Sequence, residues 1–257
     1  MKILFDQAGQ QVHVHLHGAP TRLTPLFSAI EAVGWQHSIA TPLTADSLKD
    51  RDVLVLTNRV ATAYTTSELG AIVDFVRAGG GLWCMANHAA WGAVDQGNNH
   101  VRYDSAVSTT FYTSFEATAY TAPQGADVIL EQANLPSHRI TRGRPGWPAL
   151  SGSNTEIKRI ATRSFCAVHA NSFAQPVALL NDVGPVQNTQ NGRPPGRTVA
   201  WAVALKDAEA TGSGRALFCG DAGWLGNEAT NMPGRGQFQV ADNAQFAINC
   251  LAWLARL

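Results

Sequence analysis

Polar residues that could do chemistry follow four predicted buried strands, each at the point where the strand ends. In chain order these residues are Asp6, Gln7, Asn58, Arg59, Asn87, His88 and Asp221. A carboxylate beside a histidine can orient the imidazole as a general base, or the pair can bind a metal ion that keeps a water ligand. We expect His88 to act as general base or metal ligand, with Asn87 donating to developing oxyanion charge. Asp6 and Asp221 are the predicted orienting carboxylates, although turns also favour polar residues for structural reasons.

The strand before Asn87 is the clearest of the four. Three glycines at 79–81 end a predicted helix, and the apolar run 82–85 that follows is too short to form a helix. A continuous apolar run between a helix stop and a polar turn is typical of a strand buried on both faces of a parallel sheet. Ligands of such sheets bind outside the carboxyl ends of the strands. The sequence therefore predicts a site at this edge.

Other residues near the same edge could contact a ligand. Trp91 could stack on a sugar or another flat ligand, or pack its loop onto the sheet. Asn227 lies in a glycine-containing loop that could let a ligand approach closely or simply form a turn. Asn243 follows the predicted helix cap Asp242 and could point into the crevice. The predicted ligand-binding residues are Gln7, Asn58, Trp91, Asn227 and Asn243.

Three histidines alternate with apolar residues just after the first strand. In an extended chain His13, His15 and His17 would point the same way, as ligands of a divalent metal must. No acidic residue is adjacent, and a solvated hairpin edge explains the spacing as well. A divalent metal is therefore a possible cofactor. No Gly-x-Gly-x-x-Gly follows the first strand, so a dinucleotide is not predicted.

The elements that must position these residues alternate between strand and helix over the first 88 residues. Strands are predicted over 2–6, 37–40, 52–56 and 82–85. Thr24 is the predicted cap of a helix over 25–33, and Thr65 with Glu68 predicts a capping box for a second helix. This alternation is typical of a doubly wound sheet.

The second half of the chain has a weaker pattern. Residues 89–164 are rich in Asn, Thr, Ser, Gly and Pro and predict an irregular insertion with short strands over the carboxyl edge of the sheet. Strands over 176–181 and 198–205, joined by a long turn, precede a buried strand over 215–220. A closing helix is expected from Asp242, with Gln245 completing a capping box. No repeat or linker divides the chain, which predicts a single α/β domain over residues 1–257.

Composition excludes several classes of function. Nineteen basic residues balance nineteen acidic ones and form no basic cluster, so neither nucleic acid nor an anionic membrane is an expected partner. No apolar run is long enough to span a bilayer, and residues 1–9 do not resemble a signal peptide, which predicts a cytoplasmic protein. Four widely spaced cysteines predict buried, reduced thiols. The expected partner is a small-molecule ligand, and the oligomeric state is left open.

Several phrases together resemble a known family. They are Lys-Ile-Leu-Phe-Asp at 2–6, the glycines at 79–81, Asn87-His88, His-Arg-Ile-Thr-Arg-Gly at 138–143, Gly-Asp-Ala-Gly-Trp-Leu-Gly-Asn at 220–227, Asp242-Asn243 and Leu-Ala-Trp-Leu at 251–254. In this order they resemble the class I glutamine amidotransferase-like superfamily, near its bacterial trehalose-utilisation-protein-like branches. The resemblance implies a flavodoxin-like three-layer α/β/α sandwich with a mostly parallel central sheet.

The chain departs from that family at the nucleophile. The resemblance implies a cysteine at the turn after the strand, where this chain has Ala86. Cys84 lies two residues earlier, a shift of roughly 6–7 Å along a strand. No His-x-Glu follows near the end of the chain, so glutamine hydrolysis by a thiolate is not expected. Two hypotheses remain: a hydrolase for a small sugar-like or lactone-like substrate, using His and Asp with possible help from a metal, or a non-catalytic ligand-binding or scaffold domain.

Overall fold

A computed structural model of the chain describes residues 1–7, 23–40, 42–59, 61–87, 102–116, 120–121, 126–150, 152, 154–170, 174–181, 187–188, 198–206, 211–226 and 236–257. Its strands are β1 (Lys2–Asp6), β2 (Gln36–Ala40), β3 (Val53–Thr57), β4 (Gly81–Met85), β5 (Thr113–Phe115), β6 (Tyr120–Thr121), β7 (Val128–Glu131), β8 (Arg159–Thr162), β9 (Ser164–Phe165), β10 (Val168–Ala170), β11 (Ala174–Asn181), β12 (Gln187–Asn188), β13 (Thr198–Lys206) and β14 (Arg215–Cys219). Its helices are α1 (Thr24–Ala32), α2 (Ala45–Leu48), α3 (Thr66–Arg77), α4 (Arg102–Thr109), α5 (Arg139–Arg142) and α6 (Asn243–Leu254).

A nine-stranded mixed sheet forms the centre of the fold. Its order is β2-β1-β3-β4-β14-β13-β10-β5, with β11 also paired to β13. The first five strands in this order run parallel to one another, whereas β13 is antiparallel to β14 and β10, and β5 is antiparallel to β10. The predicted α/β fold with a mostly parallel central sheet is confirmed. The two strands predicted over 176–181 and 198–205 are seen as β11 and β13, which pair antiparallel.

Side chains that alternate along each strand build two separate cores. In β4, Trp83 and Met85 face a first core, whereas Leu82 and Cys84 face a second. Helices α1 and α6 cover the first face, and α3 and α4 cover the second. Because both faces are covered, the central strands are apolar throughout, which is the pattern that revealed them in the sequence.

The capping box predicted for α3 is confirmed. The hydroxyl of Thr65 accepts the Glu68 N–H, and the Glu68 carboxylate accepts the Thr65 N–H in return. At the other end Gly79 has φ +118, a conformation that a side chain would strain. Helix α3 therefore begins and ends where its sequence predicts, and delivers the chain into β4.

The side-chain caps predicted for α1 and α6 are not formed, although α6 begins directly after Asp242 as predicted. Thr24 is already helical, and no side chain caps α1 at Leu23. Asp242 makes no side-chain cap on α6, because its carboxylate accepts the N–H groups of Lys158 and Arg159 instead. Gln245 bonds to Leu150 and Pro148, which lie far from the helix start in sequence. Long-range hydrogen bonds have replaced the local ones.

Two elements of the region 89–164 belong to the main layers of the fold. Val107 of α4 and Phe111, which follows the helix, pack into the second core beside α3, and β5 forms one edge of the nine-stranded sheet. Strands β7 and β8 pair with each other and contribute Val128, Leu130 and Ile160 to the first core. Most of the long turn predicted between 181 and 198 lies outside the described residues. No described helix is long and apolar enough to cross a membrane.

Candidate functional site at the carboxyl edge of the sheet

The strand order reverses between β1 and β3. From β1 the chain passes through α1, on the first face, to β2; from β3 it passes through α3, on the second face, to β4. Strands β1 and β3 are neighbours, so their connections leave in opposite directions. In open α/β sheets, ligands bind at such a switch point, outside the carboxyl ends of the strands. The tips that flank it carry Asp6 and Gln7 on β1 and Asn58 and Arg59 after β3.

The order of the strands in the sheet separates the residues that the sequence predicted to share one hollow. The tips lie in the order β1, β3, β4, β14, so Asp6 and Asp221 are three strand spacings apart, roughly 14 Å. Carboxylates at that distance cannot contact one group together. The expectation of a single hollow fed by all four tips therefore does not hold for this pair, and the edge contains two polar neighbourhoods.

The first neighbourhood, which we call the switch-point cluster, consists of Asn58, Arg59 and Asp104. The Asp104 carboxylate accepts the Asn58 amide at 2.8 Å and the backbone N–H of Arg59 at 3.2 Å. Asn58 has φ 70, a left-handed conformation that an asparagine tolerates better than most residues. Burial raises the pKa of Asp104 to about 8, although both hydrogen bonds oppose the shift. Asp104 is therefore mostly protonated at neutral pH, and α4 holds the turn after β3 through a neutral acid.

The Arg59 side chain leads from this cluster to the start of α3. Its Nη2 donates to Glu68 Oε1 at 3.0 Å, and its guanidinium carbon lies 4.2 Å from the centre of the Tyr64 ring. Burial alone would raise the pKa of Glu68, but hydrogen bonds from Thr65 and Arg59 hold this pKa below its usual value. The Arg59–Glu68 pair is therefore charged although both side chains are more than 90% buried.

The second neighbourhood lies where β4 and β14 end. Asp221 accepts the Thr162 hydroxyl and the Gly223 N–H, both at 2.6 Å. Burial raises the pKa of Asp221 to about 6, opposed by these hydrogen bonds. Met85 pairs with Cys219, so Asn87, itself buried, follows the strand beside the one that Asp221 follows. This carboxylate titrates close to neutrality, but both of its oxygens already accept hydrogen bonds.

The cysteine thiols are buried and unreactive. Cys84 lies inside β4 with no exposure, and burial raises its pKa well above the usual value. The other three cysteines are also buried and free, with pKa values raised by burial. The prediction of reduced, buried cysteines is confirmed. Thiolate chemistry needs an accessible, stabilised thiolate, and these sites provide neither condition.

Several predicted site residues lie outside the described part of the chain. They are His13, His15, His17, His88, Trp91 and Asn227. Within the described residues, no group of three or more His, Cys, Asp or Glu side chains is placed to hold a metal ion. The roles predicted for these six residues stay predictions.

Of the remaining ligand-binding predictions, Asn243 has a structural use. Its amide donates to the carbonyls of Ala161 and Gln237, and its Oδ1 accepts the Ala161 N–H. This side chain joins α6 to β8. Gln7, in contrast, is half-buried at the tip of β1 beside the switch point. Asn58 belongs to the switch-point cluster described above.

The motif at 138–143 is also structural in this chain. His138 caps α5, with its Nδ1 accepting the Ile140 N–H at 3.2 Å, and its ring packs against Trp253. Burial lowers the pKa of His138 to about 4, helped by the charges of Arg139 and Arg215. His138 is therefore neutral near pH 7 and serves the packing of α5 on α6.

Sequence reasoning missed Asp104 and Thr162, which complete the two neighbourhoods. Both lie in the region 89–164. Tyr103, Val107 and Phe111 are spaced as one face of a helix, and this signal could have revealed α4. Thr162 ends a strand of only four residues, and nothing in the sequence connects it with Asp221.

A cavity lies at the opposite, amino edge of the sheet. Its volume is about 600 Å³, and residues before β3 and β4, the end of α3 and Arg256 line it. Its charged lining mixes both signs: Asp46, Asp50, Asp52, Asp74, Lys49, Arg51 and Arg256. This position is remote from the switch point and offers a competing location for a ligand.

Comparison with solved structures shows the fold. The N-terminal domain of mmIFT52 superposes with a TM-score of 0.69 at 11% identity, over 98% of this chain and 97% of that one. A cytoplasmic protein from Salmonella typhimurium LT2 gives 0.58 at 16% identity, over 99% of each chain. A ThuA-like protein from Bacteroides uniformis ATCC 8492 gives 0.52 at 16%, over 98% of this chain and 89% of that one. No protein-family model and no curated protein matches this chain. The fold is thus shared with ThuA-like structures.

Proposed function

We propose that this chain binds a small polar ligand, of the sugar or lactone type, at the switch point between β1 and β3. The observation that carries the proposal is the set of polar groups there: Asp6 and Gln7 from β1, Asn58 and Arg59 from β3, and Asp104 from α4. Asn58 adopts a left-handed backbone conformation at this point, and such conformations cluster at ligand sites. Three separate elements thus supply donors and acceptors where this architecture places its ligands.

Binding without catalysis is the function that the described residues support best. Asp221 and Asp104 are both buried, and their carboxylates accept hydrogen bonds from the protein itself. Cys84 supplies no nucleophile, which supports the inference that the chain is an amidotransferase-like protein without that chemistry. The four free cysteines agree with a cytoplasmic protein.

The experiment compares the affinities of wild-type protein and two glutamine variants for glucose, glucono-1,5-lactone and gluconate by calorimetry. Gln7→Ala removes an amide at the switch point, and Gln36→Ala removes one from the opposite end of the neighbouring strand. We expect Gln7→Ala to weaken binding about tenfold, as for one lost hydrogen bond of roughly 1.4 kcal/mol, and Gln36→Ala to have no effect. Equal affinities for both variants would contradict the proposed location.

A hydrolase is the second candidate. The pKa of Asp221, raised by burial to about 6, is suited to general acid–base chemistry, and Asn87 lies on the adjacent strand tip. In this function His88 is the base and Asp6 or Asp221 the orienting carboxylate, with a divalent metal as possible help. Hydrolysis of glucono-1,5-lactone by the wild type that is lost in His88→Ala, with binding retained, supports the enzyme. Binding without turnover in the wild type supports the non-catalytic domain.

A further inference from the structure

Arg59 has more buried hydrogen-bond donors than the described protein can satisfy. Its side chain is 4% exposed, and one nitrogen, Nη2, bonds to Glu68. The other two nitrogens, Nε and Nη1, are buried and have no hydrogen-bond partner among the described residues. Leaving donors of a charged group unpaired inside a protein is energetically unfavourable when nothing binds to them. Unpaired buried donors of this kind are typical of a side chain that binds a ligand.

The surroundings of Arg59 favour a negative ligand. The guanidinium lies at the amino end of α3, a helix of 12 residues, whose first N–H groups carry partial positive charge. The capping box uses the N–H groups of Thr65 and Glu68, which leaves those of Thr66 and Ser67 without intrahelical partners by helix geometry. The Tyr64 ring covers one face of the guanidinium, so a ligand must approach its N–H edges.

The hydrogen bonds of the neighbouring acids leave room for such a ligand. Glu68 is ionised and accepts a single hydrogen bond from the guanidinium of Arg59. Asp104, the acid of the switch-point cluster, is directed at the Arg59 backbone N–H and at Asn58 rather than at the guanidinium. An arginine presents five donors, so one bond to Glu68 leaves most of its hydrogen-bonding capacity for an oxyanion.

We propose that Arg59 recognises a carboxylate or phosphate group of the ligand at the switch point. The inference rests on the proposed function and narrows the ligand class from small polar molecules to small anions such as sugar acids or sugar phosphates. Arg59 binds the oxyanion through Nε and Nη1, and the amino end of α3 adds favourable charge. Neutral sugars lack the group that pairs with these donors.

The test measures the affinities of glucose, gluconate and glucose 6-phosphate by calorimetry at matched ionic strength. The wild type is compared with Arg59→Gln, Arg59→Lys and Arg77→Gln, the last removing an exposed arginine from the other end of the same helix. We expect one of the anions to bind at least tenfold more tightly than glucose, and Arg59→Gln to remove that preference. Arg59→Lys, which keeps the charge but not the fork of donors, should retain part of it, and Arg77→Gln all of it. The tighter anion identifies carboxylate or phosphate as the recognised group.

Two results would overturn the inference. One is a wild type that binds neither anion more tightly than glucose; the other is an Arg59→Gln variant that keeps its anion preference. If glucose binding still depends on Gln7 in either case, the proposed function survives without this refinement. If none of the three ligands binds, both fail. Should Arg59→Gln not fold, the wild-type preference and the Arg59→Lys variant decide the question.

Discussion

The backbone N–H of Arg59 donates to the buried carboxylate of Asp104 at 3.2 Å, although 45 residues separate them in the sequence. This bond and the one from Asn58 fix the turn that ends β3. Because the turn lies at the point where the strand order reverses, helix α4 helps to shape the proposed ligand site. Folding of the region after β4 and formation of the site are thus coupled.

Replacing Asp104 with asparagine should change how stability depends on pH. The folded-state pKa, about 8, lies above the unfolded value, so Asp104 contributes stability that is complete below about pH 4 and is lost as the pH rises towards 8. Across that window this residue lowers the free energy of unfolding by about 1.4 kcal/mol per pH unit. Asp104→Asn removes this slope while keeping an acceptor for the Arg59 N–H.

The measurement is urea unfolding at a series of pH values, with Asp74→Asn as the control because Asp74 is exposed on α3. Asp104→Asn should be more stable than wild type near pH 8 and lose that advantage towards pH 4. Parallel stability curves for the wild type and Asp104→Asn would show that Asp104 is ionised in the folded protein.

The hydrogen bond from Thr162 to Asp221 should contribute more to the free energy of unfolding than an ordinary surface hydrogen bond. Thr162→Val keeps the shape of the side chain but removes the hydroxyl that donates to Asp221 at 2.6 Å. We expect a loss of about 1–3 kcal/mol in the free energy of unfolding at pH 7, where the carboxylate is mostly ionised. Thr162→Ser, which retains a hydroxyl, should lose much less. Equal losses for both variants would mean that packing, rather than the hydrogen bond, accounts for the effect.

Asn243 should prove important for stability and unimportant for ligand binding. Asn243→Ala removes three hydrogen bonds that join α6 to β8 and to Gln237, and we expect a loss of about 2–3 kcal/mol. Asn154→Ala, which removes an exposed asparagine with one local hydrogen bond to Glu156, is the control. Denaturant unfolding measures the stability and calorimetry the affinity. If Asn243→Ala weakened ligand binding and left the stability unchanged, Asn243 would be a ligand-binding residue, as the sequence predicted.

The capping box of α3 supports the Arg59–Glu68 pair as well as the helix. Thr65→Ala should lower the free energy of unfolding by about 1 kcal/mol, because the Glu68 N–H loses its side-chain acceptor and the Glu68 carboxylate loses one donor. Thr66→Ala changes the adjacent residue without touching the cap and should have little effect. Similar thermal unfolding curves for Thr65→Ala and wild type would show that water replaces the cap without loss.

Patterns of local origin predicted the architecture well. The apolar runs that became β3 and β4 and the capping box of Thr65 and Glu68 depend on neighbours in the sequence, so they could be read directly. The cap of α6 failed for the opposite reason: Asp242 and Gln245 bond to the segment 148–159 rather than to the start of their own helix.

The candidate site was predicted only in part, because strand order is a long-range property. The sequence located polar residues at the strand tips but not the order β1, β3, β4, β14, which separates Asp6 from Asp221. Arg59 was visible as one of the tip residues, but its burial and its unpaired donors depend on Tyr64, Glu68 and the packing of α4. Asp104 came from a region whose composition resembles a loop, and the apolar spacing that could have revealed α4 does not indicate that an aspartate on that helix is buried.

The most direct test of the central claim is a map of backbone amide chemical shifts during a ligand titration. The ligand is whichever of glucose, gluconate and glucose 6-phosphate binds most tightly. Ligand binding at the switch point predicts the largest changes at Gln7, Asn58, Arg59 and the first turn of α3. The largest changes among residues 45–52 and at Arg256 would instead locate the ligand in the cavity at the amino edge, and would contradict the account.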